Sequence, residues 1–230
     1  ERVQASIEKL GYVPSIAAQR MSGSRSYLIM ALNDRERTIA DWRKREGTDW
    51  VDQMLLGGML RCANSGYRMI FELIDTHSSQ VEREVQAALS ALHPDGVILT
   101  PPHSDNPLIT ELLVRQGLPF ARIGSETAGP GFAISMNDAG AAEAATNHLL
   151  DLGHRRVGFI TGSDEYALSG ARLAGYHLAL ASRGLPADPA LIGKGDFTYA
   201  SGEAAARAML ALDHPPTGIV ASNDQMALAA

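Results

Sequence analysis

The feature that most constrains the fold of this chain is a regular alternation of short, almost wholly apolar runs with longer segments of helical periodicity. Runs such as GVILT (96–100) and VGFIT (157–161) lack polar alternation, which is typical of parallel strands covered by helices on both faces. The pattern indicates an α/β fold with doubly wound parallel sheets. The predicted strands are Tyr27–Asn33, Tyr67–Ile74, Gly96–Thr100, Phe120–Gly124, Phe132–Ser135, Arg156–Thr161, Leu191–Phe197 and Gly218–Ala221.

Helical periodicity fills most of the intervals between these strands. The first strand is preceded by an apolar pattern that ends at Leu10, where Gly11 suits a left-handed helix cap. The next segment, Pro14–Met21, is only one or two turns long, and an isolated helix of that length is marginal in water. The predicted helices after the first strand are Trp50–Ser65, Gln80–Leu92, Pro107–Gln116, Ala139–Leu152, Ala171–Ser182 and Ser201–Leu212.

Composition narrows the classes of function. Of the 230 residues, 45% are hydrophobic and 20% are charged, as in ordinary globular proteins. The formal net charge of -6 argues against a surface that binds nucleic acid as a whole, so any DNA contact must be local. A single cysteine, Cys62, excludes an intramolecular disulfide and fits a reducing compartment. No leader and no apolar run of membrane-spanning length is present, so we expect a cytoplasmic protein.

The sequence shows no recognisable motif for catalysis or metal binding. It contains no phosphate-binding loop and no G-x-S-x-G nucleophile elbow. Its seven histidines are scattered without the spacing of a zinc site, and Cys62 lies mid-helix among apolar neighbours. Paired carboxylates occur at strand ends, but the sequence does not give the separation that glycosidase chemistry requires. We therefore expect a protein that is not an enzyme, with no metal and no cofactor.

Polar residues follow the carboxyl ends of the predicted strands, where ligands of open parallel sheets bind. Asp and Asn side chains suit a hydroxyl-rich or amine-bearing ligand. An equally strong alternative at any single position is that they cap the helices that follow. The residues concerned are Asn33, Asp34, Thr100, Gly124, Ser125, Asn137, Asp138, Gly162, Ser163, Asp164, Asn223 and Asp224.

Six segments, in order along the chain, resemble landmarks of the LacI/GalR family of bacterial transcription regulators: RVQASIEKLGYVPSIAAQRMSGSRS, DGVILTPP, HLLDLGHRRVGFITG, ARLAGYHLAL, GDFTYASG and PTGIVASNDQMALAA. The resemblance implies a helix-turn-helix headpiece, a hinge helix, and a two-lobed core like that of type I periplasmic sugar-binding proteins. It divides the chain into a headpiece remnant (1–13), a hinge helix with linker (14–26), an N-terminal lobe (27–150) and an incomplete C-terminal lobe (151–230). The helix that would read the major groove then lies outside this chain.

The same resemblance gives a role to the short segment Pro14–Met21. In the family, two hinge helices pair in the operator minor groove and wedge an apolar side chain between base steps. The implied DNA contacts are Ser15, Ala18 and Met21. Met21 stands at the wedge position, where the family more often has Leu, and Ser15 replaces the usual Asn. The alternative is a linker that packs Ile16 and Met21 on the core.

The family's effector-contacting positions also map onto this chain. A carboxylate accepts from sugar hydroxyls, a guanidinium donates a rigid fork, and an aromatic ring stacks on the C–H face of a pyranose. For the last position of the set, a helix-capping role is a nearly equal alternative. The implied contacts are Asp138, Arg172, Phe197, Asn223 and Asp224, with Thr100 as a weaker candidate.

A charged segment, residues 33–50, departs from the family pattern. Trp42 and Trp50 are further candidates for stacking on a sugar. The basic residues there, Arg35, Arg37, Arg43, Lys44 and Arg45, would favour an anionic sugar. A solvated charged loop with one tryptophan as its anchor is the alternative.

The resemblance thus implies a transcription repressor that binds operator DNA as a homodimer and is switched by a small carbohydrate, or a carbohydrate derivative, between its lobes. Movement of the lobes around the effector would favour a dimer whose hinge helices cannot pair. Two alternatives remain open: a periplasmic sugar-binding protein of a transport system, and a purine-responsive regulator of the same family.

Overall fold

A computed structural model of the chain describes residues 6, 9–10, 25–44 and 49–230. From Leu28 onward, the described part consists of strands that are separated by helices in most places, as the sequence predicts. The predicted hinge segment Pro14–Met21, with its DNA contacts Ser15, Ala18 and Met21, lies outside the described residues.

The strands and helices are numbered separately in chain order. The strands are β1 (Leu28–Asp34), β2 (Arg68–Ile74), β3 (Gly96–Leu99), β4 (Phe120–Ile123), β5 (Phe132–Ile134), β6 (Val157–Ile160), β7 (Ile192–Gly193) and β8 (Gly218–Ala221). The α-helices are α1 (Arg35–Lys44), α2 (Asp49–Asn64), α3 (Val81–Leu92), α4 (Pro107–Arg115), α5 (Asp138–Asp151), α6 (Ala167–Ser182), α7 (Tyr199–Leu210) and α8 (Asp224–Ala229). Two 3-10 turns, His103–Asp105 and Pro189–Leu191, complete the set in the described part.

The strands form two sheets whose described pairs are all parallel. The first sheet has the order β2-β1-β3-β4-β5, and the second has the order β7-β6-β8. Strand order reverses beside β1 in the first sheet and beside β6 in the second. Ligands of such sheets bind outside the carboxyl ends of the strands at these reversal points. The two-sheet α/β fold predicted from the sequence is confirmed.

Each sheet has its own hydrophobic core. In the first, Met30 and Leu32 of β1 are fully buried against α3 and α4. Burying side chains of this size contributes about 1.5–3 kcal/mol each. In the second, Phe159 of β6 stacks on Tyr176 of α6, with ring centroids 5.0 Å apart. The Tyr176 hydroxyl donates to the Val157 carbonyl at 2.9 Å, so that the buried ring leaves no polar atom unsatisfied.

Helix α5 follows the last strand of the first sheet but packs with the second. Its residues Ala142 and Leu150 are buried in one cluster with Phe159 and Tyr176. The predicted boundary between the lobes at residues 150 and 151 stays a prediction. The packing of α5 nevertheless joins residues from 138 onward to the second core.

Three elements differ from the sequence-based expectation. Residues 35–44, read as a charged segment, form helix α1, because the Asp34 side chain caps its first turn. Helix α6 begins at Ala167 instead of Ala171. The expected strand Leu191–Phe197 contracts to Ile192–Gly193, since only these two residues pair with β6.

Within the described ranges, no helix has both the length and the apolar character needed to cross a bilayer.

Candidate functional site

The carboxyl ends of the two sheets face each other across a cleft. Arg37, in the first turn of α1 after strand β1, donates to the Asp196 carbonyl at 2.6 Å. Its guanidinium carbon lies 5.5 Å from the ring centroid of Tyr166 and 5.6 Å from that of Phe197, both in the second lobe. His77 Nε2, after β2, lies 3.2 Å from the Glu165 carboxylate. The cleft therefore lies where ligands of parallel sheets are bound.

Asp34 fixes the wall of the cleft that the first lobe provides. Its Oδ1 accepts from the Arg37 backbone N–H at 2.9 Å, and its Oδ2 accepts from the Thr76 hydroxyl at 2.7 Å. Burial opposes ionisation of this carboxyl, but the bonds from Arg37 and Thr76 outweigh burial and keep its pKa below the usual value. Asp34 thus stays ionised and holds α1, and with it Arg37, against the cleft.

The Thr76 hydroxyl links Asp34 to a fully buried imidazole. Since this hydroxyl donates to Asp34, it accepts from His103 Nε2, 2.9 Å away, which places the imidazole proton on Nε2. Nδ1 of His103 makes no hydrogen bond among the described residues. Burial is the main cause that lowers the pKa of His103, although the nearby Asp34 charge opposes it. The ring is therefore neutral at pH 7.

An ion pair forms the centre of the second lobe's wall. Asp138 Oδ1 accepts from Arg172 Nε at 2.8 Å and lies 2.7 Å from Arg172 Nη2. Arg172 Nη1 donates to the Ser222 carbonyl. Asp138 is nearly buried, and its Oδ2 makes no hydrogen bond within the described part of the chain. One carboxylate oxygen and two guanidinium N–H bonds thus remain for a ligand.

Local sequence explains why these two side chains meet. Asn137 caps α5 by accepting from the Gly140 N–H at 3.0 Å, and so places Asp138 in the first turn, where the helix dipole favours a negative charge. Helix α6, which carries Arg172, approaches α5 so closely that a Cβ on Gly175 would lie 2.0 Å from the Ala139 carbonyl oxygen. A glycine at position 175 is what lets the two backbones touch.

Phe197 forms the aromatic part of the same wall. Its backbone has φ +72, in the left-handed region that a bulky residue seldom adopts. The Asn223 amide holds it there by donating to the Phe197 carbonyl at 2.8 Å. The ring lies 5.6 Å from that of Tyr166 and covers Gly162, where any Cβ would lie 1.9 Å from the ring tip. The Arg172 guanidinium lies 6.0 Å from the ring centroid.

Asn223 and Asp224 occupy the start of α8. The Asn223 Oδ1 accepts from the Met226 N–H at 3.0 Å and caps the helix, while its amide holds Phe197. Of the two alternatives that the sequence left open for this side chain, the structure shows helix capping. Asp224 is exposed in the first turn of α8. Ligand contact by either residue stays a prediction.

Thr100 is placed differently from the other predicted contacts. It is 1% exposed, and its hydroxyl lies 2.8 Å from the Leu32 carbonyl and in contact with the Asn33 side chain. These bonds tie the ends of β1 and β3 together inside the first lobe. The structure thus brings Asp138, Arg172, Phe197 and Asn223 together and leaves Thr100 apart.

The two tryptophans lie on helices α1 and α2. Trp42 is 42% exposed and packs on Phe71 of strand β2, with ring centroids 5.9 Å apart. Trp50 is 45% exposed in the first turn of α2. Their proposed stacking on a ligand stays a prediction.

The basic residues of the charged segment differ in position. Arg35 is paired with Glu84 at 2.9 Å, Arg37 faces the cleft, and Arg43 and Lys44 are exposed at the end of α1. Arg45 lies outside the described residues.

Two residues of the site escaped sequence reasoning: Tyr166 and Ser222. Arg37 was named only as one of five basic residues that would favour an anionic sugar. Asp34, three residues before Arg37, is a typical helix cap and gave a weak signal of its position. Burial raises the pKa of Tyr166 to about 12, so that its hydroxyl stays protonated in the cleft.

A groove of ≈ 520 Å³ continues from the Asp138–Arg172 pair along β8, between α5 and α8. A smaller cavity of ≈ 360 Å³ lies on the other side of β6, lined by residues 161–165 and 194–196. In the ranges that the structure describes, no three His, Cys, Asp or Glu side chains are grouped so that they could hold a metal ion. The cleft therefore offers hydroxyl, carboxylate, guanidinium and aromatic groups to a ligand.

Comparisons with known proteins agree on one family. The description "periplasmic binding proteins and sugar binding domain of LacI family" belongs to the family pattern that matches residues 47–230. The transcriptional regulator CelR of Thermobifida fusca is 31% identical over 237 residues, covering 100% of this chain and 66% of CelR. The repressor CytR of Escherichia coli K12 is 28% identical over 232 residues, covering 100% of this chain and 64% of CytR.

A solved structure of CelR in complex with cellobiose has a TM-score of 0.77 and 27% identity, and the match covers 99% of this chain and 65% of that chain. The chain thus spans slightly less than two thirds of the length of these relatives.

Proposed function

The chain belongs to the family of periplasmic binding proteins and LacI-type sugar-binding domains, and from that premise we propose that it is the effector-binding part of a transcription repressor. The whole protein binds operator DNA as a homodimer in the cytoplasm. A small carbohydrate, or a carbohydrate derivative, binds in the cleft and lowers its affinity for the operator. Regulation, and not catalysis, is the activity that the names of the relatives support.

One observation carries the choice of ligand class. The nearly buried Asp138 carboxylate keeps one oxygen without a hydrogen bond to any residue that the structure describes, beside Arg172 and the Phe197 ring. A sugar supplies what this set lacks: hydroxyl donors for the carboxylate, hydroxyl acceptors for the guanidinium and a C–H face for the ring. CelR, whose solved complex contains cellobiose, makes a β-linked glucose disaccharide the first probe to test.

The parts of the chain take separate roles in this proposal. Residues 14–26 form the hinge helix and linker, with Ser15, Ala18 and Met21 at the DNA. Residues 27–150 and 151–230 are the two proposed lobes, although helix α5 at the end of the first range packs in the core of the second. Asp138, Arg172, Phe197, Asn223 and Asp224 contact the effector, with Thr100, Trp42 and Trp50 as weaker candidates.

The alternatives predict other ligands or other partners. A periplasmic sugar-binding protein would bind a sugar but no DNA. A purine-responsive regulator would bind DNA and a nucleobase. The relatives named as HTH-type regulators favour a regulator over a transport protein.

The test is a thermal-shift screen of the whole protein that contains this chain, against cellobiose, other neutral sugars, sugar acids and nucleobases. Binding at 100 times Kd stabilises the folded state by about 2.7 kcal/mol, which raises Tm measurably. We expect a sugar to raise Tm, and Arg172→Ala to abolish that shift. Arg183→Ala, which removes an exposed ion pair with Asp151, is the matched control and should keep the shift. If only nucleobases raise Tm, the purine-responsive regulator replaces the sugar-responsive one as the proposed function.

A further inference from the structure

A second polar arrangement lies at the opposite, amino end of the first sheet, where the chain enters strand β1. Asp95, directly before β3, binds this entrance with both carboxylate oxygens. Its Oδ1 accepts from the Ser26 N–H at 2.7 Å and the Ser26 hydroxyl at 3.1 Å, and its Oδ2 accepts from the Tyr27 N–H at 2.9 Å. One side chain therefore fixes two consecutive residues ahead of the strand, an arrangement called the Asp95 clamp below.

Backbone pairing with the neighbouring strand holds only the Tyr27 carbonyl, which accepts from the Arg68 N–H at 2.8 Å. The ladder of β1 begins at Leu28, which pairs with Arg68 of β2, and reaches β3 at Ile29. The N–H groups of Ser26 and Tyr27 lie ahead of that ladder and point to the carboxylate. Charged acceptors make hydrogen bonds about twice as strong as neutral ones, so the clamp is a firm attachment. The Asp95 N–H in turn donates to the Leu28 carbonyl at 2.8 Å, which ties β3 to the same entrance.

The clamp also imposes an unusual backbone direction. Tyr27 has φ +56, a left-handed conformation that costs energy in a residue with a large side chain. Its ring packs on that of Tyr67, with centroids 5.6 Å apart. Such conformations persist only where the surroundings over-determine them. The two N–H groups that Asp95 holds therefore set the direction in which the chain leaves the core, and the Tyr27 ring packs beside them.

That direction matters because of what precedes it. The sequence places the hinge helix and linker in residues 14–26, immediately ahead of the clamp. Two hinge helices that meet in one minor groove must each start from a defined position, since freedom at their attachment would have to be lost on binding DNA. Strands β1 and β3 carry the clamp at one end and the Thr100–Asn33 contact at the other.

We propose that Asp95 is a positioning residue for operator binding, which fixes the exit of the linker from the core. This inference rests on the proposed function. It assigns to Asp95 no contact with the effector or with DNA. Its role is to order the attachment point of the DNA-binding segments in the free protein, so that less entropy is lost when the operator is bound.

Asp95→Asn in the whole protein tests this role with a change of one atom. The amide oxygen can still accept from Ser26, but the amide nitrogen cannot accept from the Tyr27 N–H. Affinity is measured for an operator selected from random-sequence DNA by the unsubstituted protein. We expect the affinity to fall roughly tenfold or more, as loss of one charge-assisted hydrogen bond allows. The sugar affinity and Tm of Asp95→Asn should equal those of the control variant described next.

The matched control is Asp188→Asn in the second lobe. Asp188 also accepts from a backbone N–H, that of Ala190 at 3.0 Å, and from Arg156, but it makes no hydrogen bond to Ser26 or Tyr27 among the described residues. If Asp95→Asn does not fold, Asp95→Glu replaces it: the charge is kept, and an added methylene displaces both oxygens. Tyr27→Gly tests the ring separately, because glycine accepts the positive φ and keeps the N–H donor. It should retain operator affinity.

Amide hydrogen exchange tests the clamp without DNA. In Asp95→Asn, exchange at Tyr27 should become faster while exchange in β6 stays unchanged. Operator affinity equal to that of Asp188→Asn, or unchanged exchange at Tyr27, overturns the proposal. If Tyr27→Gly loses operator affinity while exchange at Ser26 stays slow, the positioning role belongs to the Tyr27 ring. That result would also overturn the proposal. If random-sequence DNA yields no operator, the proposed function fails, and hydrogen exchange alone decides whether the clamp exists.

Discussion

At the scale of single residues, the Asp138–Arg172 pair has a structural role and a proposed binding role. It joins the start of α5 to α6 with two contacts to one carboxylate oxygen. Because the Asp138 side chain is 4% exposed and that of Arg172 19% exposed, each charge depends on the other for compensation. A ligand that approaches the free oxygen of Asp138 meets a carboxylate already fixed in place.

Asp138→Ala should therefore lower the free energy of unfolding by about 2–4 kcal/mol, since it leaves a largely buried guanidinium unpaired. Asp151→Ala removes the exposed partner of Arg183 and should cost less than about 1 kcal/mol. Urea unfolding of both variants gives the comparison. Equal losses would show that the Asp138 pair is worth no more than a surface pair.

His103 makes stability depend on pH. Burial lowers its pKa below the ordinary value of 6.5, so the unfolded chain takes up a proton at a higher pH than the folded protein does. The contribution to stability is complete above pH 6.5 and is lost as the pH falls toward the folded-state value. For one titrating group, the free energy of unfolding cannot change by more than about 1.4 kcal/mol per pH unit.

We expect His103→Gln to remove this part of the pH dependence of unfolding, measured between pH 7 and pH 5. His214→Gln, at an exposed histidine, should keep it. An unchanged profile in His103→Gln would mean that the imidazole does not titrate in this way.

Sequence reasoning reached some of these residues and not others. Asp138, Arg172, Phe197 and Asn223 were identified by their motifs, and the structure places them around one cleft. The contact of Arg37 with the second lobe was not foreseen, because its partner Asp196 is separated from it by 159 positions and only the folded chain brings them together.

At the scale of elements, the approach of helices α5 and α6 decides whether the site exists. Periodicity predicted both helices, but it could not show that they touch at a glycine or that α6 starts four residues early. It gave only a weak sign that residues 35–44 are helical, because the segment is charged on most sides and Asp34, which caps the helix, fitted ligand binding and capping equally well.

Gly175→Ala tests the helix contact. In an open helix this change would stabilise the protein by about 1 kcal/mol. Here the added Cβ would lie 2.0 Å from the Ala139 carbonyl oxygen, so the helices must separate. We expect a loss of about 2–4 kcal/mol in the free energy of unfolding, together with weaker sugar binding.

Gly170→Ala is the control on the same helix, because no atom of the described residues lies within 4 Å of its added Cβ. It should leave stability unchanged or raise it by about 0.5–1 kcal/mol. If both variants behave alike, the close contact of α5 and α6 does not exist as described.

At the scale of the whole molecule, charged and aromatic contacts connect the two lobes across the cleft. Arg37 reaches the Asp196 carbonyl and two rings of the second lobe, and His77 reaches Glu165. Cation–π contacts of this kind contribute about 0.5–1 kcal/mol each, which is enough to shift a balance between open and closed arrangements.

Arg37→Ala should therefore widen the distribution of lobe separations. Spin labels on α3 and α7 would report this as longer distances in pulsed electron paramagnetic resonance. Arg43→Ala, at an exposed position of the same helix, should leave the distances unchanged. Identical distributions in the two variants would remove Arg37 from the set of contacts that hold the lobes.

The central claim is that a sugar in the cleft and an operator on the DNA-binding segments oppose each other. The most direct measurement is the affinity of the whole protein for its selected operator, followed by fluorescence anisotropy with the cleft empty and with the cleft saturated by the sugar found in the screen. We predict that the sugar weakens operator binding by roughly 5- to 150-fold, and that the operator weakens sugar binding by the same factor. Equal operator affinity with the cleft empty and saturated would contradict the claim.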